Sequence, residues 1–173
     1  MPERNEHLGR RRVWYLGLGS NLGDRAGYLR AALDSLTALR GSTVLRASSI
    51  YETDPWGPAD QDAFLNMVAE LESSLQPHEL LAEAKRIERE LGRQERDRWG
   101  PREIDIDLLV AGDLKTESDD LTVPHPLVLE RQFVLVPLAE LAPDLRIGES
   151  DRVSDMVVDD GSVRPHGTVA ETR

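Results

Sequence analysis

The sequence predicts an α+β fold, a ferredoxin-like αβα sandwich with a mostly antiparallel central sheet and long mobile loops. Three observations point there. Two stretches with leucine at helical spacing, residues 25–40 and 77–91, alternate with short apolar segments of strand length. Glycine or proline punctuates nearly every junction between them. The order reads as two β-α-β units, which a single sheet can accommodate, and 173 residues hold one domain with a substantial core rather than two.

Each element has a local reason. Residues 13–18 are apolar and ring-rich, as a buried strand requires. Residues 19–24 make a turn whose last member, Asp24, can cap the next helix. Leu29, Leu33, Leu36 and Leu39 then recur on one helical face, and Gly41 stops the helix. Residues 43–51 read as a second strand, and 52–62, with Pro55, Gly57 and Pro58, as a long irregular loop. Residues 64–71 form a third strand. Pro77 suits a first helical position, and Leu80, Leu81, Ala84, Ile87 and Leu91 line one stripe before Gly92. Residues 93–102 are a charged loop leading into another strand. A polar excursion over 111–120, a Val123-Pro124-His125-Pro126 turn and an apolar stretch over 127–141 follow. The domain division is a polar lead-in (1–12), a catalytic domain (13–148) and an acidic tail (149–173), expected to be disordered because it lacks aliphatic periodicity.

Composition narrows the function classes. A net charge of -11 and a pI near 4.8 argue against general attraction to nucleic-acid backbones. No RNA-binding aromatic block is present. The absence of cysteine excludes disulfides and thiolate metal sites and fits a reducing cytoplasm. No apolar run has the length of a membrane span, and the N-terminus has no signal core, so a cytoplasmic protein is expected.

The chemistry concentrates in residues 98–110. On a strand, Asp105 and Asp107 share a face roughly 6–7 Å apart, while Ile104, Ile106 and Leu108 point into the core. Adjacent carboxylates repel unless something positive sits between them, and a divalent cation, or two, is the natural neutraliser. Arg93, Arg96, Arg98 and Arg102 crowd the preceding loop as a phosphate clamp would, and Trp99 can cover a purine. The pattern points to phosphoryl-type transfer from a nucleotide. No Walker loop is present, and the glycines of 17–23 miss dinucleotide-binding spacing by one residue, so they read as a tight turn with close backbone approach. The irregular loop over 51–58 and the same-face pair Phe64 and Asn66 suit a flat heterocycle, though Phe64 alone reads as core. Lys85 and Glu88 share a helix face and, by spacing alone, describe a surface ion pair. Alone, His125 reads as a turn residue. Arg131 and Phe133 share a face if their stretch is extended.

Four motifs carry a family resemblance. Y-L-G-L-G-S-N-L-G-D-R (15–25), D-P-W-G-P-A-D-Q-D-A-F-L-N (54–66), R-W-G-P-R-E-I-D-I-D-L-L (98–109) and L-T-V-P-H-P (121–126) resemble the 6-hydroxymethyl-7,8-dihydropterin pyrophosphokinases of folate biosynthesis. The resemblance spans residues 13 to 147 and implies the ferredoxin-like fold. It implies transfer of pyrophosphate from ATP to the pterin hydroxymethyl group with release of AMP. It further implies two magnesium ions on Asp105 and Asp107, with Arg93 and Arg102 as catalytic arginines. The pterin pocket would comprise Thr53, Asp54, Pro55, Gly57, Phe64, Asn66 and Phe133. The nucleotide contacts would be Lys85, Glu88, Arg96, Arg98, Trp99, Leu108, Thr122, His125 and Arg131. A monomer is expected, with ATP and the pterin as ligands and possible contact with neighbouring folate enzymes. Lys85, Asp120 and Pro126 depart from residues that other members carry.

Overall fold

A computed structural model describes residues 9–55, 60–96 and 100–171. The central sheet runs in the order β5-β1-β4-β3-β8, with β2 also on β4, and every pairing is antiparallel. Its strands are β1 (Arg12–Ser20), β2 (Ser42–Ala47), β3 (Ile50–Thr53), β4 (Phe64–Ser73), β5 (Asp105–Val110) and β8 (Val163–Gly167). A separate hairpin joins β6 (Thr116–Glu117) to β7 (Thr122–Val123). The helices are α1 (Arg25–Thr37), α2 (Pro77–Glu90), α3 (Gln132–Leu141) and the short α4 (Val153–Met156).

Two cores hold the layers together. On one sheet face, Leu16, Leu18, Met67 and Ile106 pack against Leu29 and Leu36 of α1 and Leu80 and Ile87 of α2. On the other, Val68, Leu109 and Val110 meet Val134, Leu135 and Leu138 of α3. Strand alternation makes this possible, since neighbouring residues of β4 and β5 feed opposite cores. The result is the αβα sandwich that the pattern of elements predicts. Among the described residues, no helix is long and apolar enough to cross a membrane.

Local signals operate as expected at several junctions. Asp24 caps α1 by accepting a 3.0 Å hydrogen bond from Gly27 N. Gly41 and Gly92, just beyond the first two helices, have φ of 78° and 93°, where a β-carbon would be strained.

Four expectations are corrected. Residues 43–51 form two strands, because Ser48 interrupts the ladder: its hydroxyl accepts from Val68 N and its N–H donates to Val68 O, both at 2.9 Å. Gly17 and Gly19 lie inside β1, which also takes in Arg12 of the supposed lead-in, and the turn starts at Asn21. Phe133 is helical, with Arg131 at the N-cap of α3, so the two are not an extended same-face pair. The fourth concerns the tail. Residues 149–171 include α4, whose Val153 is fully buried, and β8, which pairs with β3 from Ile50↔Gly167 to Thr53↔Val163. An edge strand binds through its backbone, so it tolerates Pro165 and needs no aliphatic pattern.

Candidate active site

Asp105 and Asp107 project from β5 on the α3 side of the sheet, with Ile106 and Leu108 in the opposite core. Leu108, expected among the nucleotide contacts, therefore has its side chain turned away from the carboxylates. The two aspartates help line a cavity of about 550 Å³. Thr53, Asp54, Phe64, Asn66 and Phe133 share its wall, as do His125 and Arg131. Most of the expected pterin set and both carboxylates thus meet in one space. A second cavity of about 530 Å³ is lined by Lys85, Glu88, Arg93, Arg96 and Arg102. Arg102 faces both cavities.

The arginines are held by acids. Asp105 receives Arg102 Nη1 at 2.7 Å on Oδ2 and Arg93 Nη1 at 2.9 Å on Oδ1. Arg93 also meets Glu88 Oε2 at 2.5 Å. Burial opposes the Arg93 charge, yet Asp105 and Glu88 outweigh it and raise the pKa. Glu88 is no surface ion-pair residue: it is 2% exposed. Its Oε1 accepts 2.8 Å from Ile106 N, on the outer edge of β5, which ties α2 to the aspartate strand. Lys85 Nζ completes this group at 3.2 Å from Glu88 Oε2. Arg96 pairs with Glu103 at 2.7 Å.

Asp107 has a different balance. Burial, reinforced by the Asp105 charge, pushes its carboxyl up to about 6, against the pull of Lys85 and Arg131. A cation between the aspartates would relieve that strain. Among the described residues no cluster of three or more His, Cys, Asp or Glu side chains forms a metal cage. Two carboxylates beside a basic cavity fit magnesium in particular, which takes one or two carboxylates and completes its shell with water and phosphate. Thiolate-seeking metals do not fit.

The wall that carries Thr53 and Phe64 is organised around Asn66. Its Nδ2 donates 2.7 Å to Thr53 Oγ1 across the β3–β4 pair. Gly19 on β1 faces it, and a β-carbon there would stand 2.6 Å from Asn66 Oδ1. Close backbone approach, expected of these glycines, is thus the role of Gly19, although it lies within β1 rather than in a turn. Gly19→Ala is expected to displace the Asn66 amide and raise the Michaelis constant for the ring substrate by roughly tenfold, about one lost buried hydrogen bond, with little change in melting temperature. Steady-state kinetics with varied ring substrate check it; an unchanged constant refutes the contact. Arg131 lies over the Phe133 ring, 5.5 Å from its centroid, so helical geometry still brings cation and ring together.

His125 is carried on the turn after β7, where its N–H donates 2.7 Å to Leu109 O. Its Nδ1 accepts from Leu127 N at 3.1 Å, so Nε2 carries the proton. Burial and nearby Arg131 lower its pKa, which keeps the ring neutral. Thr122 sits on β7 paired with Glu117, outside the lining of either cavity. Pro55 adjoins the lining residue Asp54 without lining the cavity itself. Gly57, Arg98 and Trp99 lie outside the described residues. Sequence reasoning missed Gly17, Gln61 and Val134 in the cavity wall. It also missed Asn21, between the two loops, although the odd glycine spacing marked that segment.

Fold and site together define a class: an α+β sandwich in which a ring-lined cavity and an arginine-lined cavity meet at a pair of same-face carboxylates. The chain belongs to the 7,8-dihydro-6-hydroxymethylpterin-pyrophosphokinase family, whose model matches residues 15–143. It is similar to the 2-amino-4-hydroxy-6-hydroxymethyldihydropteridine pyrophosphokinase of Methylorubrum extorquens, with 51% identity over 78% of this chain and 85% of that protein. The Bacillus subtilis protein of the same name is 52% identical over 75% of this chain and 77% of its own length. Among solved structures, Plasmodium falciparum HPPK-DHPS shares the fold at a TM-score of 0.66 and 14% identity. That match covers 88% of this chain, which spans less than half (46%) of the longer protein.

Proposed function

We propose that the protein catalyses a step of folate biosynthesis: transfer of pyrophosphate from ATP to the hydroxymethyl group of 6-hydroxymethyl-7,8-dihydropterin, with AMP as the second product and magnesium as the required cation. Family membership and the names of its relatives supply the reaction. One observation carries it to these residues: the carboxylate pair stands in the ring-lined cavity, while Arg102 reaches from that pair into the basic cavity.

In this reading the pterin lies between Phe64 and Phe133, with its polar edge on Asn66 and Thr53. Asp54, Pro55 and Gly57 shape the approach. Lys85, Glu88, Arg96, Arg98, Trp99, Thr122, His125 and Arg131 form the nucleotide side, with Leu108 contributing only backbone. Asp105 and Asp107 would hold two magnesium ions together with phosphate oxygens. When bound, such ions lower the cost of removing the hydroxyl proton and neutralise triphosphate charge. Arg93 and Arg102, preset by Glu88 and Asp105, meet the charge that grows as AMP departs. The residues around both cavities hold acceptor and nucleotide in line and exclude water, the competing acceptor. The cytoplasm is the proposed compartment and a monomer the working state, with a neighbouring folate enzyme as a possible contact.

The nucleotide product tests the reaction. Incubation with ATP, magnesium and the hydroxymethyl-dihydropterin is expected to yield AMP; ADP would instead mark transfer of a single terminal phosphate.

The aspartate pair also predicts a pH dependence. The Asp107 carboxyl is raised in the folded state, so its protonated form favours folding. That contribution is complete below the ordinary carboxylate value near 3.8 and is lost as pH rises through about 6. Without magnesium, Asp107→Asn is therefore expected to raise the melting temperature at pH 8 and barely alter it at pH 4. Calorimetry at the two pH values checks it; an equal shift at both would show that the carboxylate carries no such penalty.

A further inference from the structure

The C-terminal strand carries a charged side chain that the reaction scheme does not use. β8 lies beyond residue 143, where the match to the family model ends, and it pairs along one edge of β3. The other edge of β3 pairs with β4, so the strand that brings Thr53 to the ring-lined cavity is held on both sides. Backbone contact continues one residue further, where Asp54 N donates to Ser162 O at 3.3 Å. Asp54 is the first residue beyond β3 and lines the same cavity.

Arg164 of β8 stands directly across from Glu52 in the β3–β8 register. Asp54 follows two positions after Glu52, hence diagonally across from Arg164 on the same side of the sheet. Arg164 Nη2 donates to Asp54 Oδ1 at 2.9 Å and lies 3.9 Å from Glu52 Oε1, while its Nη1 donates to Gly161 O at 3.1 Å. Glu52 pairs in turn with Arg25 of α1 at 3.1 Å, and Arg25 Nη1 donates to Ala63 O at 2.8 Å, next to Phe64. Opposite charges thus alternate from Asp54 through Arg164 and Glu52 to Arg25. Ion pairs this open to solvent add little to global stability. They can still fix one conformation of a residue in a cavity wall. A ligand that needs that conformation then binds in proportion to its population.

We infer that Arg164 is a positioning residue for the ring substrate: from β8 it holds Asp54 in the cavity wall and so sets ring affinity without touching the ring. This rests on the pterin reading proposed above. The role asks for a positive charge at this point of β8, because both carboxylates that face it are acceptors only when ionised.

The test is steady-state AMP formation by the full chain at saturating magnesium-ATP, with the hydroxymethyl-dihydropterin varied. Arg164→Glu keeps the backbone pairing but sets like charges across from Glu52 and beside Asp54. Its KM for the pterin is expected to rise about tenfold, with kcat and the KM for ATP within about twofold of wild type and the melting temperature within a few degrees. Arg164→Lys is expected to bring the pterin KM back to within about threefold. Salt supplies a readout that a merely loosened strand would not move. Raising sodium chloride from about 50 to about 500 mM screens an attraction in the wild type and a repulsion in Arg164→Glu. The pterin KM is therefore expected to rise with salt in the wild type and to fall with salt in the variant. If Arg164→Glu does not fold, Arg164→Gln takes its place, with a pterin KM about threefold above wild type and no longer raised by salt. An unchanged pterin KM in the folded variant, an equal rise in the KM for ATP, or a salt response like that of the wild type overturns the role of Arg164. Absence of AMP from the wild-type reaction would instead overturn the pterin reading itself.

Discussion

Asp107→Ala is expected to lower turnover by about a thousandfold or more while the protein stays folded. In the role proposed for Asp107, loss of a cation ligand removes several kcal/mol of charge stabilisation, and each 1.36 kcal/mol is about tenfold in rate. The structure adds a second expectation that separates this effect from misfolding. Burial and the neighbouring Asp105 already hold the Asp107 carboxyl up at about 6, so its charge opposes folding near neutral pH. The alanine variant should therefore melt no lower than wild type at pH 8 without magnesium, and should lose the rise in melting temperature that magnesium and nucleotide produce. A residue that strains the fold for the sake of its chemistry shows this combination. Activity measured at saturating magnesium decides the case: normal turnover would remove Asp107 from the site.

The second large effect belongs to Arg102. Arg102→Ala is expected to reduce turnover by about 10²–10³-fold, as loss of one preset cation at a developing charge typically does. Pterin affinity should change little, because the ring contacts proposed above come from Phe64, Phe133 and Asn66. The substitution also leaves Asp105 with Arg93 as its remaining partner among the described ion pairs, so affinity for magnesium-nucleotide should not collapse. Arg102→Lys is a useful control, since a point charge cannot reproduce the fork of a guanidinium and should recover only part of the rate. Pre-steady-state measurement of AMP formation would show whether the loss falls on the transfer step; unchanged turnover would exclude the clamp role.

Much of the fold and of the site is legible in the sequence. Two-residue periodicity placed Asp105 and Asp107 on one face and Ile104, Ile106 and Leu108 in the core, and three-to-four-residue spacing marked α1 and α2. These signals are local, and local geometry decides them. Other features escaped because nothing local announces them. The interruption at Ser48 depends on a hydroxyl replacing a backbone partner on β4. The strand β8 forms because β3 offers an unpaired edge, and backbone pairing asks for no hydrophobic pattern. Glu88 looked like half of a surface ion pair because its partner, Ile106 N, lies 18 residues away and is unreadable from helix spacing.

By itself, the sequence determined which residue types could do the chemistry and on which side of each strand or helix they fall, since those depend on backbone periods and turn residues. Only the tertiary structure decided which of them meet: that Gly19 leaves room for Asn66, that Asn21 joins two loops, and that Arg102 stands between two cavities. Such meetings depend on strand order and register, which bring together groups 40 to 81 positions apart that no short-range pattern relates.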